Sequence, residues 1–221
     1  VKNKIFVIHG ATYSGKSRLA LTAPSPMLFM DSDMSADQLL SNHARADQIN
    51  VVRIKDWAQL RHQLKVISEE PNKSGYEKMK GRPMSVVLDG GSFLTTWAYI
   101  EAQNDVKKGE DAWINASKKI DDFIVFCKQF PANIIITAKD KERYESGQFT
   151  GDMVININRH IEYAADVVVR CDGVEGDRYV YTIEKDREHS LRDVKVENLT
   201  FGRLVSIGSE MGFSPDQGQI L

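Results

Sequence analysis

An α/β domain with a mostly parallel central sheet, helices on both faces and a C-terminal antiparallel hairpin is the fold this sequence predicts. Two observations point there. Short apolar runs alternate with stretches of helical period through the first two thirds of the chain. Later, two strand-like runs, Asp166–Cys171 and Tyr179–Glu184, flank the turn-forming Asp172-Gly173-Val174-Glu175-Gly176-Asp177.

Taken in order, Lys4–Ile8 is a first strand that runs into a glycine-containing loop and then a helical pattern. Met27–Met30 is a second, stopped by Asp31-Ser32-Asp33, and Val51–Ile54 a third. From Asp56, a residue suited to cap a helix, Trp57, Leu60, Leu64 and Ile67 recur at helical spacing. Residues 71–83 have no apolar period, and their Pro, Gly and Lys content reads as an exposed loop. Ser85–Leu88 is a buried strand ending at Asp89. A helical stretch through Trp97 and Ile100 follows, then a polar break at Lys107-Lys108-Gly109. Ile120, Phe123, Ile124 and Cys127 lie on one face of the next helix, and Asn133–Thr137 is another buried strand. Residues 139–158 lack a clear period. One domain is expected over residues 1–208, with 209–221 a loosely held tail.

Composition narrows the function classes. With 29 Lys+Arg against 31 Asp+Glu among 221 residues, the molecule is no polycation, so nucleic acid would have to meet a local patch. No apolar run approaches the ~18–20 residues of a bilayer span. The run Ile5–Ile8 is too short and wrongly flanked for a signal peptide, so an intracellular, cytoplasmic protein is expected. Cys127 and Cys171 are too few for a disulfide framework or a four-cysteine zinc site, and are expected as buried thiols. Histidines 9, 43, 62, 160 and 189 show no metal-ligand spacing and are expected in ordinary structural or surface roles.

Gly10-Ala11-Thr12-Tyr13-Ser14-Gly15-Lys16-Ser17 matches the G-x-x-x-x-G-K-[ST] pattern, with a strand before it and a helical pattern after it. Small residues let main-chain N–H groups curl around phosphate oxygens at a helix start. Lys16 is expected to reach the β- and γ-phosphates of ATP, and the Ser17 hydroxyl to bind Mg²⁺. Asp89, at the end of an apolar strand, is the expected second Mg²⁺ residue; capping of the next helix, which Ser92 also marks, is the other reading. Position 90 is glycine, so the Asp-Glu pair common in helicases is missing. A carboxylate that orients water must come from elsewhere, and Asp31 and Asp33 are the nearest suppliers, unless they form only a solvated turn.

The order of these parts, with Phe29-Met30-Asp31-Ser32-Asp33, Val87-Leu88-Asp89 and Ile134-Ile135-Ile136-Thr137-Ala138-Lys139, resembles the RecA-type recombinase ATPase core. The likeness covers residues 2–208 and is nearest to the compact versions encoded by bacteriophages. It implies a RecA-like P-loop NTPase fold, and the host cytoplasm if the chain is phage-encoded. It places Asp33 where the family has its catalytic glutamate and Lys139 where it has a polar γ-phosphate sensor. Lys185 and Arg187 fall where it has paired basic residues that reach a neighbouring subunit's ATP, which implies a homo-oligomer. Only three residues precede the first strand, so the family's upstream oligomerisation segment is not expected. The segments 105–112 and 139–156 match the loops that line DNA in such filaments.

From the residues themselves, Lys107, Lys108, Lys141 and Arg143 can neutralise phosphates, while Tyr144 and Phe149 can stack on bases. Lys73, Lys78, Lys80 and Arg82 form a further basic cluster. The expected function is an Mg²⁺-ATPase acting on single-stranded DNA in phage-type recombination or replication. The alternatives are a nucleoside-type small-molecule kinase and a non-hydrolysing nucleotide switch or packaging adaptor.

Overall fold

The fold is built on a nine-stranded sheet of order β3-β2-β4-β5-β1-β7-β8-β9, with β6 paired to the far end of β5. The computed structural model describes residues 4–41, 43–69, 83–105, 111–187 and 191–210. Strands β1 (Ile5–Gly10), β2 (Met27–Asp31), β3 (Ile49–Arg53), β4 (Ser85–Asp89), β5 (Asn133–Glu145) and β7 (Val167–Glu175) pair with one another in parallel, in the order β3-β2-β4-β5-β1-β7. Strands β8 (Arg178–Asp186) and β9 (Val194–Glu197) close the edge in antiparallel pairing. The predicted hairpin is present and longer than expected, turning at Gly176-Asp177.

Alternation along β1 divides the core. Ile5 and Val7 face helices α3 (Trp57–Glu69), α4 (Leu94–Asp105), α5 (Ala112–Gln129) and α6 (Arg159–Ala164). Phe6 and Ile8 face α1 (Lys16–Ala20), Ala36 of α2 (Ala36–Leu40), and α7 (Phe201–Glu210). A central parallel strand buried on both faces reads as a continuous apolar run, which is why β2 and β4 are uniformly buried. The helix predicted from Asp56 forms as expected, with Asp56 Oδ1 accepting from Gln59 N at 2.8 Å.

One expectation changes. Residues 139–158, which lack a clear period and of which 139–156 match a loop of the resembled family, form the extended end of β5, the strand β6 (Gln148–Ile155) and the approach to α6. Beyond Lys139, β5 leaves the parallel sheet and pairs antiparallel with β6 from Asp140↔Ile155 to Glu145↔Gln148, making a projecting arm. Residues 141–150 are exposed throughout, so no buried face imposes a two-residue period. Helix α7 extends to Glu210. Both β9 and α7 pack on the apolar face of the sheet through Val196, Phe201 and Leu204.

Residues 70–82 with Lys73, Lys78, Lys80 and Arg82, the residues Lys107 and Lys108, His189 and residues 211–221 lie outside the described part. Among the described residues, no helix is long and apolar enough to cross a membrane. Cys127 and Cys171 are both buried free thiols.

Candidate active site

Residues 10–17 link β1 to α1 in a loop that only this composition allows. Gly10 and Gly15 hold φ of 146° and 101°, in the region that L side chains avoid. A Cβ at Gly10 would stand 2.6 Å from the Cys171 carbonyl oxygen, and one at Gly15 would meet the Tyr179 ring. The loop is therefore clamped between its own helix and the β7–β8 hairpin. Lys16 Nζ donates to the carbonyl oxygens of Gly10, at 3.0 Å, and Ala11, at 2.5 Å. Burial lowers the Lys16 pKa, and the positive charge of Lys139 acts in the same direction. A polyphosphate in the loop would offset this like-charge repulsion.

Beside it stands a row of strand ends in register, Asp31↔Asp89↔Thr137 across β2, β4 and β5. Ser17 Oγ donates to both Asp89 oxygens, at 3.0 and 2.9 Å. Thr137 Oγ1 also donates to Asp89 and accepts from Gly90 N at 3.1 Å. Burial raises the Asp89 pKa; the Thr137 and Ser17 hydroxyls oppose this, and the nearby charges of Asp33 and Asp31 add to it. Asp89 does not cap the next helix, and Ser92 Oγ instead accepts from Lys139 N at 2.8 Å. A hydroxyl and a buried carboxylate at one spot are hard oxygen donors of the kind Mg²⁺ takes alongside phosphate and water. Among the described residues no group of three or more His, Cys, Asp or Glu could hold a metal ion unaided.

The two candidate carboxylates separate cleanly. Asp31 is 1% exposed and its oxygens accept from Ser35 N and Ala36 N, at 3.3 and 3.1 Å, at the start of α2. Both oxygens are thereby engaged in tying the end of β2 to the start of α2. Asp33 stays accessible, and its Oδ2 lies 3.3 Å from Lys139 Nζ, which also sits 5.7 Å over the Phe93 ring. Thr137, which sequence reading passed over, marked itself only as a hydroxyl ending an apolar strand level with Asp89.

A strand-P-loop-helix, a lysine folded over that loop and a buried carboxylate at a nearby strand end are the parts of a P-loop ATPase. The family whose profile matches is described as an AAA domain, over residues 2–192. The chain belongs to this family. Among solved structures, the fold is similar to that of the RadB recombinase, with a TM-score of 0.55 at 14% identity over 88% of this chain and 86% of that one. It is also similar to a KaiC-like protein, PH0186, from the hyperthermophilic archaeon Pyrococcus horikoshii OT3, with a TM-score of 0.51 at 13% identity over 88% and 84% of the two chains. The fold is accordingly the RecA-like P-loop NTPase fold. No curated protein matches the chain.

In this AAA domain Lys185 and Arg187 share a face, as alternation predicts. Lys185 Nζ donates to the carbonyls of Glu162 and Tyr163, at 2.9 and 3.0 Å. Arg187 donates to Ala164 O at 3.1 Å and pairs with Asp166 Oδ1 at 3.1 Å. Within one chain, both cations therefore hold the C-terminal carbonyls of α6, where positive charge is favoured.

The DNA-binding candidates of the arm are all exposed. Tyr144 and Phe149 pair across β5 and β6 with ring centroids 5.9 Å apart, 59% and 51% exposed, so neither ring serves the core. Arg143 pairs with Glu145 at 2.5 Å, and Lys141 is exposed near the base of the arm, opposite Val154.

The residue sequence reading undervalued is His9. It is 4% exposed, with Nδ1 donating to Asp140 Oδ1 at 2.7 Å and Nε2 to Glu184 Oε2 at 2.8 Å. Burial alone would lower its pKa, but hydrogen bonds and charge from the two carboxylates overcome this and raise it to about 9. Raised from its ordinary 6.5, the group contributes about 3 kcal/mol, fully present below about pH 6.5 and lost as pH rises through about 9. Urea unfolding at pH 6.5 and 9.5 is expected to show this loss in the wild type. His9→Gln should remove most of the difference, and an equal pH dependence in both proteins would refute it.

Proposed function

We propose that this chain is an Mg²⁺-dependent ATPase that acts on single-stranded DNA in phage-type recombination or replication. The observation that carries the reading is the convergence of Lys16, Ser17, Asp89, Asp33 and Lys139 at the carboxyl ends of parallel strands and in the loops that follow them, where open α/β sheets take ligands. The N–H groups of residues 10–17 wrap the phosphates of ATP, and Lys16 exchanges its carbonyl partners for β- and γ-phosphate oxygens. Ser17 and Asp89 would hold Mg²⁺, whose charge would offset that of the phosphate oxygens. Asp33 orients the attacking water and takes its proton, while Lys139 moves from Asp33 toward the γ-phosphate.

The exposed Tyr144–Phe149 pair, with Lys141 and Arg143 on the same arm, supports a stacking surface with phosphate-neutralising charge, and Lys107 and Lys108 are further candidates on sequence alone. The phage setting is supported by the sequence resemblance alone. Lys185 and Arg187 act on the neighbouring subunit's ATP in an assembled homo-oligomer, leaving the α6 carbonyls to do so. Specific activity should then rise with protein concentration, and a flat profile across the assembly range would remove that role.

The test is steady-state phosphate release with and without single-stranded DNA at two salt concentrations. DNA should stimulate turnover, and the stimulation should weaken at the higher salt as phosphate contacts are screened. Transfer of phosphate to a nucleoside would identify a kinase instead, and tight binding without turnover would identify a nucleotide switch.

A further inference from the structure

Across the sheet beside the P-loop runs a row of charges with no part in the chemistry above. Asp140 on β5, His9 on β1, Glu184 on β8 and Arg170 on β7 are joined in sequence: His9 to Asp140 at 2.7 Å, His9 to Glu184 at 2.8 Å, and Arg170 Nη1 to Glu184 Oε1 at 2.9 Å. Arg170 Nε continues the row to Asp172 Oδ1 at 2.7 Å.

The places these residues occupy matter more than the bonds. His9 immediately precedes Gly10, whose carbonyl holds Lys16. Asp140 is the residue at which β5 stops pairing with β1, the last pair being Gly10↔Lys139, and starts pairing with β6. It is the root of the arm. Just before it, Lys139 is fixed on both sides, its N–H on Ser92 Oγ at 2.8 Å and its carbonyl accepting from Asn156 N at 2.8 Å. Glu184 is the extra residue of a bulge, since Val168 pairs with Lys185 and Val169 with Ile183. That bulge lets Lys185 share the His9 face with Glu184, its immediate neighbour. His9 and Asp140 are shielded within this row while Arg170 and Glu184 stay partly exposed. Apolar side chains in place of a buried ion pair are often neutral or stabilising, so the pair calls for an account besides stability.

We propose that His9 is a positioning residue that carries the nucleotide state of the P-loop to the β5–β6 arm, gripping Asp140 at the arm's root and anchored on the other side by Glu184. When phosphate draws Lys16 off the Gly10 and Ala11 carbonyls, the Gly10 peptide is released. His9, one residue away, passes the shift to Asp140. The inference rests on the reading of the P-loop as an ATP site.

The experiment uses the full chain with a fluorescent dye on Gln148→Cys near the arm's tip, the native thiols being buried. Dye anisotropy is followed on ATP addition, and ATP binding is measured separately by displacement of a fluorescent nucleotide. In the parent the anisotropy should respond to ATP at pH 7. The response should fade toward pH 10 with a midpoint near 9, as His9, faced by Asp140 and Glu184 with Arg170, Asp172 and Lys16 beyond them, loses its proton. His9→Gln should bind ATP within about threefold of the parent, yet show less than a fifth of the response at every pH. Asp140→Asn, a partly exposed change that leaves the His9–Glu184 bond, should do the same. Glu184→Gln should keep the response and move its midpoint to lower pH. Parent-like response and pH profile in both His9→Gln and Asp140→Asn overturn the inference, as does a silent dye in a parent that binds ATP. A parent that binds no ATP overturns the ATP-site reading itself. If His9→Gln fails to fold, Asp140→Asn decides alone.

Discussion

Lys16→Ala is expected to lower ATP affinity about a hundredfold and to abolish measurable turnover. Charge-assisted hydrogen bonds contribute about 1.5–3 kcal/mol each, and loss of two to the phosphates corresponds to two decades or more in the dissociation constant. The change should leave the fold standing, because the Lys16 bonds that disappear go to the Gly10 and Ala11 carbonyls, and Ala11 is at the surface. Removing the ammonium also removes the repulsion that Lys139 exerts on it. The apo protein should accordingly be no less stable by urea unfolding, within about 1 kcal/mol. Unchanged affinity by titration calorimetry would show that the loop does not bind triphosphate.

How much of this was legible beforehand follows from where each signal is stored. The strands β1, β2 and β4 and the loop 10–17 were readable because burial on both faces and the need for small residues at Gly10 and Gly15 are local constraints. The helix faces of α3 and α5 were readable for the same reason. The arm was not, since a strand pair exposed on all sides carries no apolar alternation. Short α2 and α6 were also missed. They have five and six residues, too few for a period, and are fixed by caps: Asp31 accepts from the first amides of α2, and Asn158 Oδ1 accepts from His160 N. His9 is the extreme case, because its partners lie 131 and 175 residues away and nothing near it in sequence announces them.

Asp33 was legible as a candidate but inseparable from Asp31, and the structure turns that ambiguity into the sharpest contrast available. Asp33→Asn should bind ATP normally and lose about 10²–10³ in turnover, the range a positioned general base contributes. The amide keeps the shape and a hydrogen bond to Lys139 but cannot take a proton from water. Asp31→Asn should do the reverse. Its carboxylate is buried against two amide N–H groups, so the neutral side chain leaves one of them poorly satisfied and destabilises the protein by about 1–3 kcal/mol. Its turnover per folded molecule should change little. Single-turnover phosphate release, normalised to folded protein, distinguishes the two. Near-normal release by Asp33→Asn would move the base to another group, and a comparable loss in both variants would mean that the row Asp31-Asp89-Thr137 acts as one charged unit. The register of these strand ends makes that last outcome physically meaningful, because Asp89 already feels both neighbours. Of the two carboxylates, however, Asp33 is the accessible one in contact with a cation, Lys139, so on the proposed mechanism the loss of its negative charge should reach the attacking water.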